Sequence, residues 1–383
     1  MAQACSVLPT DAPAAERSPT PIPAGGSRTY TQVAAGFVHT CALDVAGAAF
    51  CWGSNEYKQL GVESAPLACG GRPCSRTPIA VSGGKRFTAL AAGWVHNCGI
   101  STDTRTYCWG GGAVDSRGYL GDGTLSPNAT PVLVRADSAF TSVTIGDGHS
   151  CALTAHGMAF CWGQNAQGQL GDGTRADRAT PVPVATELRF RALSAGAYHS
   201  CGITHENHAY CWGDNRWGQL GGGDVAYNSV SGVATQPLHV IGGRGEAFEF
   251  TAIVAGWEHT CALSTSGESY CWGRNEDALQ LGDDSDVTHR GTPGPVAGEL
   301  RFTALAAGAL ATCGRTATDE VYCWGANYYG GLGNGATVST GVGHPVHTLG
   351  GPYAQVTMGQ AHACGIATDR RLWCWGDQSV AQF

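Results

Sequence analysis

Gly146-Asp-Gly-His149-Ser-Cys151-Ala-Leu-Thr154 is followed, after a short turn, by Phe160-Cys161-Trp162-Gly163-Gln-Asn165-Ala-Gln-Gly168-Gln169-Leu170-Gly171-Asp172-Gly-Thr174, and this text points to one kind of repeat. Two cysteines stand ten residues apart, and the second opens Cys-Trp-Gly. The same text occurs seven times. Cys41 is followed by Cys51, Cys98 by Cys108, Cys151 by Cys161, Cys201 by Cys211, Cys261 by Cys271, Cys313 by Cys323 and Cys364 by Cys374. Successive Cys-Trp-Gly cysteines are 57, 53, 50, 60, 52 and 51 residues apart. A self-similar unit of that length suits one four-stranded propeller blade.

Within a unit the local text reads as strands. Leu90-Ala-Ala-Gly93, His96 to Ser101 and Thr106 to Trp109 are short runs of small, β-branched and aromatic residues between turn formers. A fourth run, Thr180-Pro-Val-Pro-Val184, carries prolines that a central strand would not accept, so it is expected at the outer edge. The Ala-Ala-Gly strand has the smallest side chains and is expected innermost, where blades converge. No helical period is sustained anywhere, and the class is all-β.

The chain ends predict how the ring closes. The last repeat ends at Cys374-Trp375-Gly376 and Phe383 without its proline-bearing strand, and Thr20-Pro21-Ile22-Pro23 supplies that text at the other end. An N-terminal strand therefore completes the seventh blade, removing the open sheet edges. Residues 20–383 read as one seven-bladed β-propeller and residues 1–19 as a disordered leader or tether.

Composition narrows the function. Lys plus Arg number 22 against 30 Asp plus Glu, a net charge of −8, and no basic run exists for a phosphate backbone to meet, so no nucleic-acid partner is expected. Glycine, 57 of 383 residues, is abundant because every blade needs tight turns. No transmembrane stretch exists.

The cysteine spacing has a geometric reading. Residues ten apart across a short turn face one another on antiparallel strands, with Cα atoms about 4.5 Å apart, within reach of a disulfide. Chain entropy assigns roughly 2.5 kcal/mol to each such bridge. Buried free thiols and metal ligation are the alternatives. Seven repeated pairs favour disulfides and an oxidising, extracytoplasmic setting. Cys69 and Cys74 are expected to close a small insertion loop of the first blade. Cys5, in Met1-Ala-Gln-Ala-Cys5, is a candidate for lipidation or a free tail thiol. It would be the only membrane connection. No charged n-region or apolar h-region precedes it, so no signal peptide is expected within this chain.

The recurring Gly-x-x-His-Ser/Thr-Cys-Ala-Leu and Phe/Tyr-Cys-Trp-Gly-x-Asn-x-x-Gly-Gln-Leu-Gly-Asp-Gly-Thr resemble the regulator of chromosome condensation repeat family over residues 20–383. The resemblance implies a seven-bladed propeller with a closing blade of mixed termini. Members include a nucleotide-exchange factor, a plant photoreceptor and secreted bacterial inhibitors of β-lactamases, all using one propeller face to hold a protein. The cysteine pairs are not part of the eukaryotic pattern and point to the secreted bacterial branch. Photoreception is not expected: Trp94 and Trp257 stand in Gly-Trp units, but Val95 and Glu258 replace the arginine of the photoreceptor's Gly-Trp-Arg-His.

Candidate chemistry is sparse. His39, His96, His149, His199, His259 and His362 recur two residues before a paired cysteine, with Ala311 in the remaining repeat. They are expected to hydrogen-bond a loop backbone rather than ring a metal. Asp122 and Asp172 are expected in turns, since one carboxylate per loop is too few for calcium. Glu276/Asp277 and Asp283/Asp284 read as a solvated acidic patch. No nucleophile, metalloprotease or phosphate-loop motif occurs, so neither an enzyme nor a cofactor is expected.

Positions that vary inside the fixed frame say more. In the Gly-x-x-His turn these are Phe37, Trp94, Asp147, Tyr198, Trp257, Glu258, Leu310 and Gln360. In the Asn-x-x-Gly loop they include Tyr57, Arg216, Trp217, Tyr328 and Tyr329. Both turns should emerge at the same end of each blade, where large aromatics and arginine make binding hot spots. A secreted or surface-tethered protein that binds a protein partner is the leading expectation, with inhibition of an extracellular enzyme as one version. A carbohydrate-binding propeller is the alternative.

Overall fold

In a computed structural model, residues 17–112, 117–223, 232–243, 245, 248–276, 278–338 and 340–379 are described. Cys5, with the rest of residues 1–16, and Asp277 lie outside them. Among the described residues every regular element is a strand, and the strands form seven antiparallel sheets.

The third blade shows why the repeat folds as it does. Its strands Phe140–Ile145, His149–Thr154, Ala159–Gly163 and Arg178–Pro183 pair in chain order from the axis outward. His149–Thr154 and Ala159–Gly163 pair so that Cys151 faces Cys161. The bridge forms at a Cα separation of 4.1 Å. The other six repeat pairs are bridged in the same way, at Cα separations of 4.0–4.1 Å. Cys41 is joined to Cys51, Cys98 to Cys108, Cys201 to Cys211, Cys261 to Cys271, Cys313 to Cys323 and Cys364 to Cys374. Neither free thiols nor metal ligands, the alternatives left open by the spacing, are therefore found at these positions. The separation is slightly below the 4.5 Å expected for opposite residues, because the bridge draws the two strands together. The outer strand loses register between Cys161↔Val182 and Gly163↔Arg178, the segment that holds Pro181. An edge strand tolerates such a bulge because it need not serve a further neighbour.

The first blade departs from the four-strand plan. Leu67–Cys69 forms a fifth strand on Arg72–Ala80, and the Cys69–Cys74 disulfide closes this short hairpin. Ring closure is as the chain ends predict: Arg17–Ala24 pairs with Leu372–Asp377. Its start means that residues 17–19, read from sequence as leader, belong to the seventh blade.

Each blade is covered on both faces, so the His149–Thr154 strand is buried along its whole length. The cores lie between blades rather than within them. Cys151, Leu153, Cys161 and Leu170 of the third blade pack with Phe190 and Trp212 of the fourth. The other interfaces repeat the arrangement, placing each disulfide beneath the next blade's tryptophan. Burying one such indole removes ~200 Å² from water, about 5 kcal/mol of apolar transfer. Six of the indoles also find a polar partner. Nε1 of Trp109, Trp162, Trp212, Trp272, Trp324 and Trp375 donates to a carbonyl of the preceding blade's Gly-Gln-Leu loop or its equivalent, at 2.9–3.1 Å.

The recurring histidines have a role other than the one their sequence suggests. Each imidazole crosses to the next blade and meets the side chain one residue after that blade's histidine position (Ala311 in the sixth blade). The pairs are His39–Asn97, His96–Ser150, His149–Ser200, His199–Thr260, His259–Thr312 and His362–Thr40, at 2.7–3.0 Å. Ser200 donates its own proton to the Gln169 carbonyl, Thr260 to Gln219, and the Asn97 amide to Gln59. The partner oxygens must therefore accept, which fixes the proton of His39, His149 and His199 on Nε2. The loop-backbone bond expected from sequence is replaced by a side-chain bridge, because the rings lie at the blade interface. At the missing position Ala311 stands opposite Ala363, so imidazole and hydroxyl are absent together.

Glycine is required beside these rings. A Cβ on Gly146 would collide with the His149 ring and with the Gly196 carbonyl of the next blade. Gly163 has φ +100°, and a Cβ there would press on the Gly148 carbonyl at 2.6 Å.

Candidate functional site

At one end of the propeller the inner strands stop, and the residue after each Gly of Gly-x-x-His turns toward the axis. Phe37, Trp94, Asp147, Trp257 and Gln360 line the mouth of a cavity of about 90 Å³, with Ala197 and Ala309 at the two remaining positions. The inner-strand ends, such as Ala35, Ala92 and Ala195, form its wall, so the smallest strand is innermost as its composition suggests.

The aromatic side chains do not stand out into solvent. Phe37 packs on Trp94 with ring centroids 5.2 Å apart and on Trp257 at 5.6 Å, although the last comes from the fifth blade. Trp257 Nε1 donates to Asp147 Oδ2 at 2.5 Å. Side chains of four blades thus meet over the axis, because apolar rings facing the axis gain more from one another than from water. Asp147, expected on a solvent-facing turn, is instead buried at 9% exposure. Burial pushes its carboxyl up to about 7, with the Trp257 hydrogen bond opposing and the Glu258 charge adding. Burial, with Asp147 nearby, likewise lifts the Tyr198 phenol to about 12.

Beside the mouth, the fourth and fifth blades carry a charged patch. Glu258 accepts from Arg274 at 2.6 Å and faces Arg216 at 3.9 Å, so the two variable turns share one end. Arg216 also pairs with the buried Asp214, and Arg274 with Glu276. The Arg274 guanidinium lies over the Trp217 ring, 4.8 Å from its centroid. Asp214 and Arg274 are absent from the candidates that sequence suggests. The residue after each Cys-Trp-Gly varies between blades, with Asp the only type used twice (Ser54, Gly111, Gln164, Asp214, Arg274, Ala326, Asp377), and that variation is a usable signal.

The remaining candidates lie elsewhere. Tyr57 and Leu310 are half-buried on their own turns, and Tyr328 is half-buried on the sixth blade. Tyr329 is a second correction to the expected exposure: only 5% exposed, it sits beneath the Arg17 guanidinium at 5.5 Å. Of the thirteen turn residues singled out, only Arg216 is exposed. The acidic loop is not a free patch either: Asp283 pairs with Arg290 and Asp284 with His344. Asp122 and Asp172 cap turns, each accepting from the backbone and hydroxyl of the threonine two residues on.

A model of the RCC1-like domain matches residues 4–335, and models of the regulator of chromosome condensation (RCC1) repeat match residues 318–366 and 353–382. The ultraviolet-B receptor UVR8 of Arabidopsis thaliana is 29% identical over 361 residues, 91% of this chain and 66% of the receptor. The chain thus spans just under two thirds of that relative's length. Human WBSCR16 superposes with a TM-score of 0.79 at 17% identity, covering 94% of this chain and 90% of the other. Prp20p of Saccharomyces cerevisiae, described with its binding to Gsp1p and histones, superposes at 0.73 with 22% identity, covering 90% and 82%. The two structural likenesses speak to the fold.

Proposed function

This chain belongs to the RCC1-like family, and on that premise we propose that it is a non-enzymatic binding protein recognising a protein partner through the axial mouth and the adjoining turns of the fourth and fifth blades. The observation that carries the reading is the continuity of these two zones. Phe37, Trp94, Trp257 and Asp147 meet over the axis, and Glu258, next to Trp257, joins them to Arg216, Arg274 and Trp217. Tryptophan and arginine in one pre-organised patch are among the residue types that dominate protein interfaces. Prp20p, which binds Gsp1p and histones, supports the use of this fold for holding proteins.

Eight disulfides fit an oxidising environment. We place the protein outside the cytoplasm, secreted or held at a cell surface, where inhibition of an extracellular enzyme is one form its binding takes. Sugar stacking is the weaker reading, because the Phe37 ring tilts at 46° to Trp94 and 42° to Trp257, so the three rings present no single flat platform to a sugar face.

The test is capture with the disulfide-intact protein from native extracellular material, followed by affinity measurement on whatever protein is retained. The combined variant Trp94→Ala, Arg216→Ala, Trp217→Ala should weaken that affinity at least 100-fold, while Leu133→Ser, on an outer strand, should not. Equal retention by the face variant and the wild type would remove this reading. Retention only of glycans on an array would replace it with the carbohydrate one.

A further inference from the structure

Among the described residues, buried aspartates are neutralised by arginine, with one exception. Asp214, fully buried, pairs with Arg216; the largely buried Asp172 and Asp283 side chains pair with Arg178 and Arg290. Asp147 is buried to a similar degree and has no ion-pair partner among the described residues. Its one hydrogen bond comes from the neutral indole of Trp257 to Oδ2, and Oδ1 accepts none among the described residues. A buried carboxylate without a counter-charge is costly. Its position at the cavity mouth means that a cation approaching along the axis would meet it.

The surroundings suit a particular kind of cation. Phe37, Trp94 and Trp257 bring three π-systems to the mouth, and aromatic faces attract ammonium and guanidinium groups. Ala197 and Ala309 flank Trp257 in ring order, leaving room beside its ring that bulkier residues would fill. One carboxylate is too few oxygens for calcium. At about 90 Å³ the cavity is far smaller than the roughly 300–1,000 Å³ that takes a whole drug-sized ligand. It fits the head and adjoining methylenes of a single side chain.

We infer that the axial mouth is a subsite for one organic cation, the ammonium or guanidinium of a lysine or arginine carried by the partner, with Asp147 as counter-ion and the Phe37, Trp94 and Trp257 rings as cation–π walls. The inference rests on the reading of this face as a partner surface and names the chemistry at its centre. Glu258 and Tyr198 are the other titratable groups acting on Asp147, and Arg216 faces both of them. Because burial raises the Asp147 carboxyl to about 7, cation binding releases a proton near neutrality and strengthens as the pH rises.

The probes are n-butylammonium and N-acetyl-arginine amide, with n-pentanol and N-acetyl-citrulline amide as neutral counterparts. They are titrated into the intact protein in low salt at pH 8 and pH 5.5, following the Trp94 and Trp257 indole resonances. The cations should saturate in the millimolar range at pH 8 and bind at least 5-fold more weakly at pH 5.5. Asp147→Asn should weaken them at least 10-fold, and Trp94→Leu, which removes a ring but keeps apolar volume, about 3-fold. Equal binding to Asp147→Asn, equal binding of the neutral counterparts, or no saturation by 50 mM would each overturn the inference. Partner capture that survives while cation binding fails would refute this subsite alone. Cation binding without any partner would refute the broader reading alone.

Discussion

Acidifying this protein from pH 7 to pH 5 should cost far more stability than its modest net charge implies. Six imidazoles are held neutral between its blades, and burial is the main cause of their depressed pKa values. His39 and His259 fall to about 4, and His96, His149, His199 and His362 to about 3. Neighbouring histidines push His96, His199 and His362 further down, so charging one ring disfavours charging the next. In the unfolded chain each regains a pKa of about 6.5. Below that value the unfolded state binds more protons than the folded one, so stability falls as the pH drops from about 6.5 toward 4. At about 1.36 kcal/mol per pH unit, each histidine costs about 2 kcal/mol at pH 5, and six together about 12 kcal/mol. Asp147 works in the opposite sense. Its raised folded pKa removes stability as the pH rises from about 4 to about 7, so acidification restores roughly one histidine's worth. The net loss of about 10 kcal/mol is comparable with the whole stability of a typical domain. Guanidinium unfolding at half-unit steps from pH 7.5 to 4.5, with disulfides intact, measures it. A change below about 3 kcal/mol between pH 7 and pH 5, or imidazoles that titrate near 6.5 in the folded protein, would show that the blade interfaces do not hold these rings neutral.

The blade contacts lead to three further expectations. Eight bridges use sixteen of the seventeen cysteines, so a thiol assay under denaturing conditions should find one free thiol per chain before reduction, Cys5, and seventeen after. Ala311→His alone should destabilise the sixth blade by leaving its imidazole without a partner. Adding Ala363→Ser should recover about 1 kcal/mol of coupling in a double-mutant cycle read by chemical denaturation, and additivity would argue against the bridge. Trp212→Phe should cost about 1–3 kcal/mol through lost indole volume and the lost bond to the Gln169 carbonyl, which keeps Ser200 as a second donor. A neutral result in thermal melts would mean that the indole proton contributes nothing there.

Much of the fold is legible in the sequence because its determinants are local. Cys151 and Cys161 are ten residues apart on one hairpin, and the register that bridges them follows from the turn alone. The same argument holds for Cys51, Cys108, Cys211, Cys271 and Cys323, each facing its partner across a hairpin of identical length. Pro181 marks an edge strand by its chemistry, and Pro21 and Pro23 mark the strand that closes the ring. The histidine bridges are not legible, because their partners lie 51 to 61 residues along the chain in five cases and 322 in the sixth. The joint absence of a polar residue at Ala311 and Ala363 is the one clue to that pairing. Asp147 and Tyr329 stand on turns, which a sequence reading equates with exposure. A turn that points at the axis, or beneath a neighbouring strand, is not a surface.

The seven blades, the disulfide in each, the innermost and outermost strands and the closure of the ring can be read from the chain, since each depends on a short repeated text and the periodicity of strands. What the variable residues do emerges only once the ring is closed. Closing seven blades around one axis brings Phe37 and Trp257, 220 residues apart in sequence, to a ring separation of 5.6 Å. It also leaves Asp147 buried beside Trp257 without a counter-ion among the described residues. Such contacts depend on the radial direction of each turn and the width of the ring, and neither is encoded in any single repeat.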